Sequence, residues 1–235
     1  MSPYSGDVSP GGPSAERVLD EVEIRKASVG PMDNNAYLLT CRRSGAQLLV
    51  DPAADPDRLL DLVREGSAGA RLDTVVTTHR HHDHVGALTS VVAVTGAEVA
   101  AGAGDADAIT EATGTAVARR LHDGDLLVVG HLTLEVVALR GHTPGSIALV
   151  YREPAHAAAP DAAPGRAHVF TGDSLFPGGV GRTWTAQDFD MLWTDVTERL
   201  FDRLDDATWV YPGHGRDTTL GAERAALPAW RARGW

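Results

Sequence analysis

Apolar and polar positions partly alternate through residues 17–29, a period of two that predicts an opening strand. Residues 35–40 and 47–51 are β-like runs joined through Arg43, Ser44 and Gly45, the pattern of a hairpin. The period then changes. Asp55 and Pro56 offer an N-cap and a proline at the first helical position, and Leu59, Leu60, Leu62 and Val63 follow at helical spacing, so a short amphipathic helix is expected over 56–65. Residues 72–78 form a β-rich run long enough for a buried strand, 86–95 are helical in pattern, and 98–101 suit another short strand. The second half repeats the style, with strands over 126–129 and 132–139 around Gly130 and His131, then 146–152 and 168–171 on either side of an Ala/Pro-rich loop at 153–167, read as mobile. The longest helical stretch runs over 186–204, with Phe189, Leu192, Trp193, Val196, Leu200 and Leu204 at three- and four-residue steps. A last strand at 208–211 precedes a helical end, 218–233, broken at Pro228. Strands come first and helices follow in each half. That order predicts an α+β arrangement of two β-rich layers with helices outside.

Composition narrows the class. With 235 residues and 43% apolar content, the chain suits one sizeable core, and a single domain is expected over 17–235. The first 16 residues have neither a basic nor an apolar stretch and read as a flexible tail. Thirty-two acidic residues against 21 basic ones leave a formal charge of −11, which disfavours nucleic acid and anionic membrane surfaces as partners. No apolar run is long enough to cross a bilayer. The single cysteine, Cys41, excludes an internal disulfide or a cysteine-built zinc site, suits a reducing compartment and reads as a small buried hydrophobe. A cytoplasmic protein is expected. Among the 21 basic residues only Lys26 is a lysine.

The histidines carry the chemistry. Thr78-His79-Arg80-His81-His82-Asp83-His84 follows a strand directly. His79 and His81 lie two apart, so in an extended or tightly turned loop both imidazoles reach one ion, while Asp83 and His84 open the next helix and can face a second. Three later segments place a ligand-type residue beside glycine at a strand end: His142 in Gly141–Ser146, Asp173 after Gly172, and His214 between Gly213 and Gly215. Each alone is ordinary turn chemistry, but four such clusters in one chain point to a metal centre. His82 fills a variable slot and reads as a surface or supporting group. His122, His131, His156 and His168 stand outside any motif and read as structural or exposed. Ser146 and Ser174 lie near the clusters without an activating base, so neither is assigned a covalent role. Trp230 and Trp235 read as packing.

These segments resemble the metallo-β-lactamase-fold hydrolase superfamily, especially its glyoxalase II-like branch, over about residues 20 to 220. The HxHxDH signature falls on His79, His81, Asp83 and His84, and the later histidine, aspartate and histidine fall on His142, Asp173 and His214. The resemblance implies a four-layer αβ/βα sandwich with two divalent ions at one edge, zinc being expected and iron or manganese being the alternatives. It implies that His79, His81 and His142 hold the first ion, that Asp83, His84 and His214 hold the second, and that Asp173 bridges them. Asp51 falls on an acidic position common in the family and is read as orienting a ligand. Two cations about 3.5–4 Å apart activate a water for attack on a carbonyl, and Asp83 can orient that water as the catalytic carboxylate.

Particular residues separate the branches. β-Lactamases lack the bridging acid that Asp173 supplies. Homoserine-lactone hydrolases place a tyrosine where Phe176 stands, and persulfide dioxygenases, which bind one iron, place a cysteine where Ser146 stands. A thioester hydrolase needs the full ligand set, which is present. A binding module on a degenerate fold would have lost ligands. The family's lysine and tyrosine near the glutathione carboxylate correspond to Arg182 and Trp184, which become the candidate substrate residues, with a bidentate grip available to Arg182. The stretch after His214 is shorter than the family's glutathione-gripping helical region. The expected partner is a small-molecule substrate, with the chain a monomer or homodimer.

Overall fold

The computed structural model describes residues 4–67, 69 and 71–234. The first sheet orders β1 (Ala15–Val18), β2 (Val22–Val29), β3 (Asn34–Cys41), β4 (Gln47–Val50), β5 (Leu72–Thr77), β6 (Glu98–Gly102) and β7 (Arg119–Leu121) as they occur in the chain. Its first half is an antiparallel meander, and from β4 onward the strands run parallel, with α1 (Pro56–Gly66), α2 (His82–Val85), α3 (Leu88–Thr95) and α4 (Ala106–Thr113) in the crossovers. The second sheet is built from β8 (Leu126–Val129), β9 (Leu132–Ala138), β10 (Ile147–Arg152), β11 (Ala167–Gly172), then β14 (Trp209–Pro212) and β15 (Thr218–Thr219). A small hairpin, β12 (Leu175–Phe176) with β13 (Gly179–Val180), leaves its rim, followed by α5 (Ala186–Val196), α6 (Leu220–Arg224) and α7 (Leu227–Arg233).

Three apolar clusters define the layers. Ile24, Tyr37, Leu39 and Val76 of the first sheet interdigitate with Leu134, Leu149, Phe170 and Tyr211 of the second. Ala36, Leu38 and Val75 point the other way, onto Leu59, Leu62 and Leu88 of α1 and α3. Val137, Ala148 and Val169 likewise meet Phe189, Leu192 and Trp230. Helix, sheet, sheet, helix is the αβ/βα sandwich. Both faces of β3 are buried, which is why residues 36–39 read as a continuous apolar run instead of alternating.

Several expectations need correction. Residues 17–29 are not one strand: Leu19, Asp20 and Glu21 turn the chain, and the Asp20 carboxylate accepts the amides of Ala158 and Ala159, which also pins the 153–167 loop. Asp55 sits at the N-cap of α1 in the left-handed region (φ 50°), but its carboxylate accepts from the Gly30 amide instead of capping the helix. Helix α5 ends at Val196 and continues as a π-helical turn, Thr197–Phe201. Pro228 does not break the last helix. It occupies the first turn of α7, where a missing N–H costs nothing, and the break lies just before it. Helix α4, strands β7 and β15 and the β12–β13 hairpin were not anticipated. The residues read as a flexible tail pack at 4–14: Tyr4 is buried, its hydroxyl donates to Asp217 at 2.9 Å, and Pro10 bridges to Ser28. Trp230 is buried in the outer helical layer, while Trp235 lies outside the described residues. Among the described residues no helix is long and apolar enough to cross a membrane.

Candidate metal centre

Strand ends at one rim of the sandwich bring the seven candidate ligands together. His79 leaves β5, His81 caps α2, and Asp83 and His84 lie in α2 itself. His142 sits in the β9–β10 loop, Asp173 follows β11, and His214 follows β14. Gly213 is a spatial requirement: a Cβ there would overlap the Asp173 carboxylate and come within 2.7 Å of the His84 ring. Three sets of donor atoms converge within 4.8 Å: His79, His81 and His142; Asp83, His84 and His214; and His79, His84 and Asp173. The first two are the pair of sets implied by the sequence, and Asp173 faces both, with Oδ1 3.3 Å from His84 Nε2 and Oδ2 3.8 Å from His142 Nε2.

The hydrogen bonds behind the rings fix which nitrogens are free. His84 Nδ1–H donates to Asp51 at 2.9 Å, His214 Nδ1–H to the Met32 carbonyl at 3.0 Å, and His142 Nδ1–H to the Arg182 carbonyl at 2.7 Å. Thr78 Oγ donates to Asp51 at 2.8 Å and so accepts from His79 Nδ1–H at 3.0 Å. Each Nε2 is left with a lone pair pointing inward. With both rings neutral, His84 Nε2 and His214 Nε2 face each other at 3.3 Å as two acceptors, which only a proton or a cation between them reconciles. His142 Nε2 and Asp173 Oδ1 are buried with no partner at all. Converging imidazole lone pairs and carboxylates suit a divalent cation, so the residues fit the ions the sequence implied.

Electrostatics agree. Burial, reinforced by neighbouring imidazoles, lowers the His79 pKa and keeps that ring neutral, and burial lowers His81 and His142 too. Burial also disfavours charge on His84 and His214, but carboxylates outweigh it: Asp51 and Asp173 raise the His84 pKa to about 10, and Asp83 and Asp173 raise that of His214, so without an ion a proton takes the place a cation would fill. That pocket of negative potential favours a cation between His84 and its neighbours. Asp83 and Asp173 resist the upward push of burial, and their pKa values are lowered by hydrogen bonds and by the surrounding imidazoles.

Asp51 stands directly behind this centre. It ends β4 at φ 56°, accepts the Thr78 amide at 2.7 Å, and touches both His84 and the Thr78 hydroxyl that holds His79. Sequence reasoning missed two further residues. Asp105, fully buried, accepts from the Arg80 amide, the Gly145 amide and the Thr143 hydroxyl, tying the His79–His81 loop to the His142 loop. Asn34 places its side-chain nitrogen 3.0 Å from Asp83 Oδ2. Only its place at a strand start could have flagged it. Ser146 is used inside the His142 turn, accepting the Thr143 amide, and His82 is 90% exposed and points away. His122, His131 and His156 are exposed, and His168 is buried against Glu153 and Tyr211.

Two clefts open beside His142. One, of about 390 Å³, is lined by His142, Asp173, Phe176, Arg182 and Arg233. The other, of about 400 Å³, is lined by His81, His142, Arg80, Trp184 and Met191. The Arg182 guanidinium stacks on Trp184 at 4.3 Å, and Trp184 is 61% exposed. Neither Arg182 nor Arg233 pairs with a carboxylate among the described residues.

Sequence and structure comparisons place these features in a wider set. The chain is 34% identical to a hydroxyacylglutathione hydrolase of Polaromonas over 83% of its own length and 72% of the relative's. It is 32% identical to one from Rhodospirillum rubrum over 77% of its length, and there it spans 62% of the relative, under two thirds. Among solved structures, TTHA1623 in a di-iron-bound form aligns at 32% identity and a TM-score of 0.62, covering 85% of this chain and 96% of that one. The profile of the Metallo-beta-lactamase superfamily matches residues 29–214, from the end of β2 to the last candidate ligand. With that stretch holding most strands of both sheets and all seven candidate ligands, the chain belongs to the metallo-β-lactamase superfamily.

Proposed function

We propose that this protein is a metal-dependent hydrolase that cleaves thioesters of small thiols, acting with two divalent ions, zinc before iron or manganese. The observation that carries the reading is the pair of converging acceptor sets that share Asp173. It is supported by relatives that are hydroxyacylglutathione hydrolases and, for iron, by the di-iron-bound neighbour. In the proposal His79, His81 and His142 hold one ion, Asp83, His84 and His214 the other, and Asp173 both. When bound, the ions supply Lewis acidity toward a carbonyl oxygen and lower the pKa of an attacking water.

The chain's own residues do the remaining work. Asp83 accepts a hydrogen bond from that water and aims it. Arg182 and Arg233 line the cleft next to His142 and Asp173, where a guanidinium grips a carboxylate of the thiol carrier in a bidentate manner. Trp184 walls the neighbouring cleft, against which the acyl group lies. A thiolate is a good leaving group, so the absence of a general acid among the candidate residues is no obstacle. The reaction is tested by following thiol release and dissolved oxygen together with lactoyl-glutathione, other acyl-thiols, a homoserine lactone and glutathione persulfide. Thiol release without oxygen uptake is expected. Oxygen consumption with the persulfide, or lactone turnover far above every thioester, sinks the thioesterase reading and leaves the metal centre standing.

A further inference from the structure

Asn34 opens β3 and belongs to neither candidate ligand set, yet it is joined to the second set twice. Its backbone bridges to His214, and the neighbouring Asn35 amide donates to the Gly213 carbonyl at 2.7 Å. The Asn35 side chain adds bonds to the carbonyls of Pro212 and Gly215, both at 2.9 Å. The start of β3 is thereby bolted to the loop that carries His214. The Asn34 side chain, 1% exposed, then reaches inward: Nδ2 lies 3.0 Å from Asp83 Oδ2, 3.3 Å from His214 Nε2 and 3.4 Å from His84 Nε2. These are one ligand atom from each member of the second set.

The identity of the amide end follows from its neighbours. Asp83 is a carboxylate, and His84 and His214 carry their ring hydrogens on Nδ1, committed to Asp51 and Met32. With the two rings neutral, as metal ligands must be, all three atoms facing Asn34 are acceptors, so the end that faces them is the N–H₂ donor; the carbonyl would set a fourth lone pair against three. A carboxylate oxygen has room for both an N–H bond and an ion. We propose that Asn34 is a positioning residue for the second metal ion: its amide donates to Asp83 Oδ2 and holds that carboxylate in register with His84 and with the His214 loop to which its backbone is paired. The inference rests on the two-ion part of the proposed function and not on its substrate.

The experiment uses the full chain, stripped by chelation and titrated with Co²⁺ alone, read by calorimetry and by the visible spectrum of the bound cobalt. The wild type is compared with Asn34→Ala and with Asn34→Asp, which keeps the shape and replaces the donor by an acceptor. Loss of a partner behind a ligand weakens metal binding by roughly ten- to a hundredfold. That loss is expected at the second ion in Asn34→Ala and at least as large in Asn34→Asp, with the first ion held within about twofold and an altered cobalt spectrum for the second. Circular dichroism of both variants checks the fold, and the isosteric change keeps the test open should Asn34→Ala not fold. Two ions bound as tightly by both variants as by the wild type overturn the inference. Tighter binding of the second ion by Asn34→Asp also overturns it, because the amide would then act through its oxygen. A wild type that takes up only one ion overturns the two-ion reading and this inference together.

Discussion

The sandwich buries two clusters of ionisable side chains, and they are built on opposite rules. Between the sheets, Lys26 donates to Asp217 at 2.7 Å and to the Gly215 carbonyl at 2.8 Å, and Asp217 also accepts from the Tyr4 hydroxyl and the Trp209 ring N–H, both at 2.9 Å. Arg17 lies between the rings of Tyr4 and Trp209 and donates to the Tyr211 hydroxyl at 2.7 Å. Tyr211 donates onward to His168 Nδ1, and His168 Nε2–H to Glu153, which Arg166 neutralises. Apart from Arg17 Nε, which faces the aromatic stack, each polar atom named meets its complement. At the sheet rim the opposite holds. There, acceptors converge on acceptors, and His142 Nε2 and Asp173 Oδ1 have no partner. Both clusters contain buried histidine and carboxylate, so burial does not distinguish a site from a brace. The convergence of unmet lone pairs does, because one such acceptor is costly and several aimed at the same point call for a cation.

The comparison can be broken in several ways, the largest effect first. Replacing Asp173 by Ala should lower occupancy at both ions and reduce kcat/KM by about three orders of magnitude or more, on the order of 4 kcal/mol, while His214→Ala should mainly empty the second site. Elemental analysis with steady-state kinetics checks both. Activity retained in Asp173→Ala would remove the rim cluster from the chemistry.

Lys26→Met attacks the other cluster. It leaves Asp217 buried without its cation, which should cost about 3–5 kcal/mol, or roughly 10 °C in Tm, with the ion count unchanged. A melting curve and metal analysis on the same sample decide it. Normal Tm with lost metal would merge the two clusters into one.

The inner network also predicts a pH dependence. Burial, with Arg17 nearby, pushes His168 down to about 4 from 6.5. The unfolded chain therefore binds a proton more readily than the folded one between those values, so the stability owed to neutral His168 is complete above pH 6.5 and is lost as pH falls toward 4, on the order of 3 kcal/mol in all. Urea unfolding of the wild type and His168→Gln across that range should show a slope that the variant lacks. Parallel curves would refute it. The smallest effect belongs to His82→Ala: its side chain is 90% exposed, and metal content and turnover should barely change, whereas His81→Ala abolishes activity. Equal losses in both variants would mean that the ligand register is shifted by one.

What the sequence revealed tracks how local each feature is. Strand ends followed by glycine announce His142, Asp173 and His214 because the chemistry and the turn sit in adjacent residues. Most strands were legible from β-rich runs, although the double burial of β3 hides its alternation. Nothing in its local sequence marks Lys26 as fully buried, because its partner Asp217 lies across the fold. The first residues read as a tail for the same reason: the partners that hold Tyr4, namely Asp217, Trp209 and Tyr211, come near the far end of the chain. Asn34 and Asp105 carry no motif of their own, and their work is defined by loops remote in sequence.

Asp51 limits how this position can vary. Its backbone is left-handed, a region open to glycine and, at modest cost, to asparagine and aspartate. Its side chain must accept from the Thr78 amide, the Thr78 hydroxyl and the His84 ring together. Glycine satisfies the backbone and offers no acceptor, asparagine offers one oxygen and presents a donor to the rest, and glutamate reaches too far from a backbone it strains. Drift at residue 51 is closed from two independent directions, so even a chain that had changed substrate would be expected to keep an aspartate there for as long as it kept its ions.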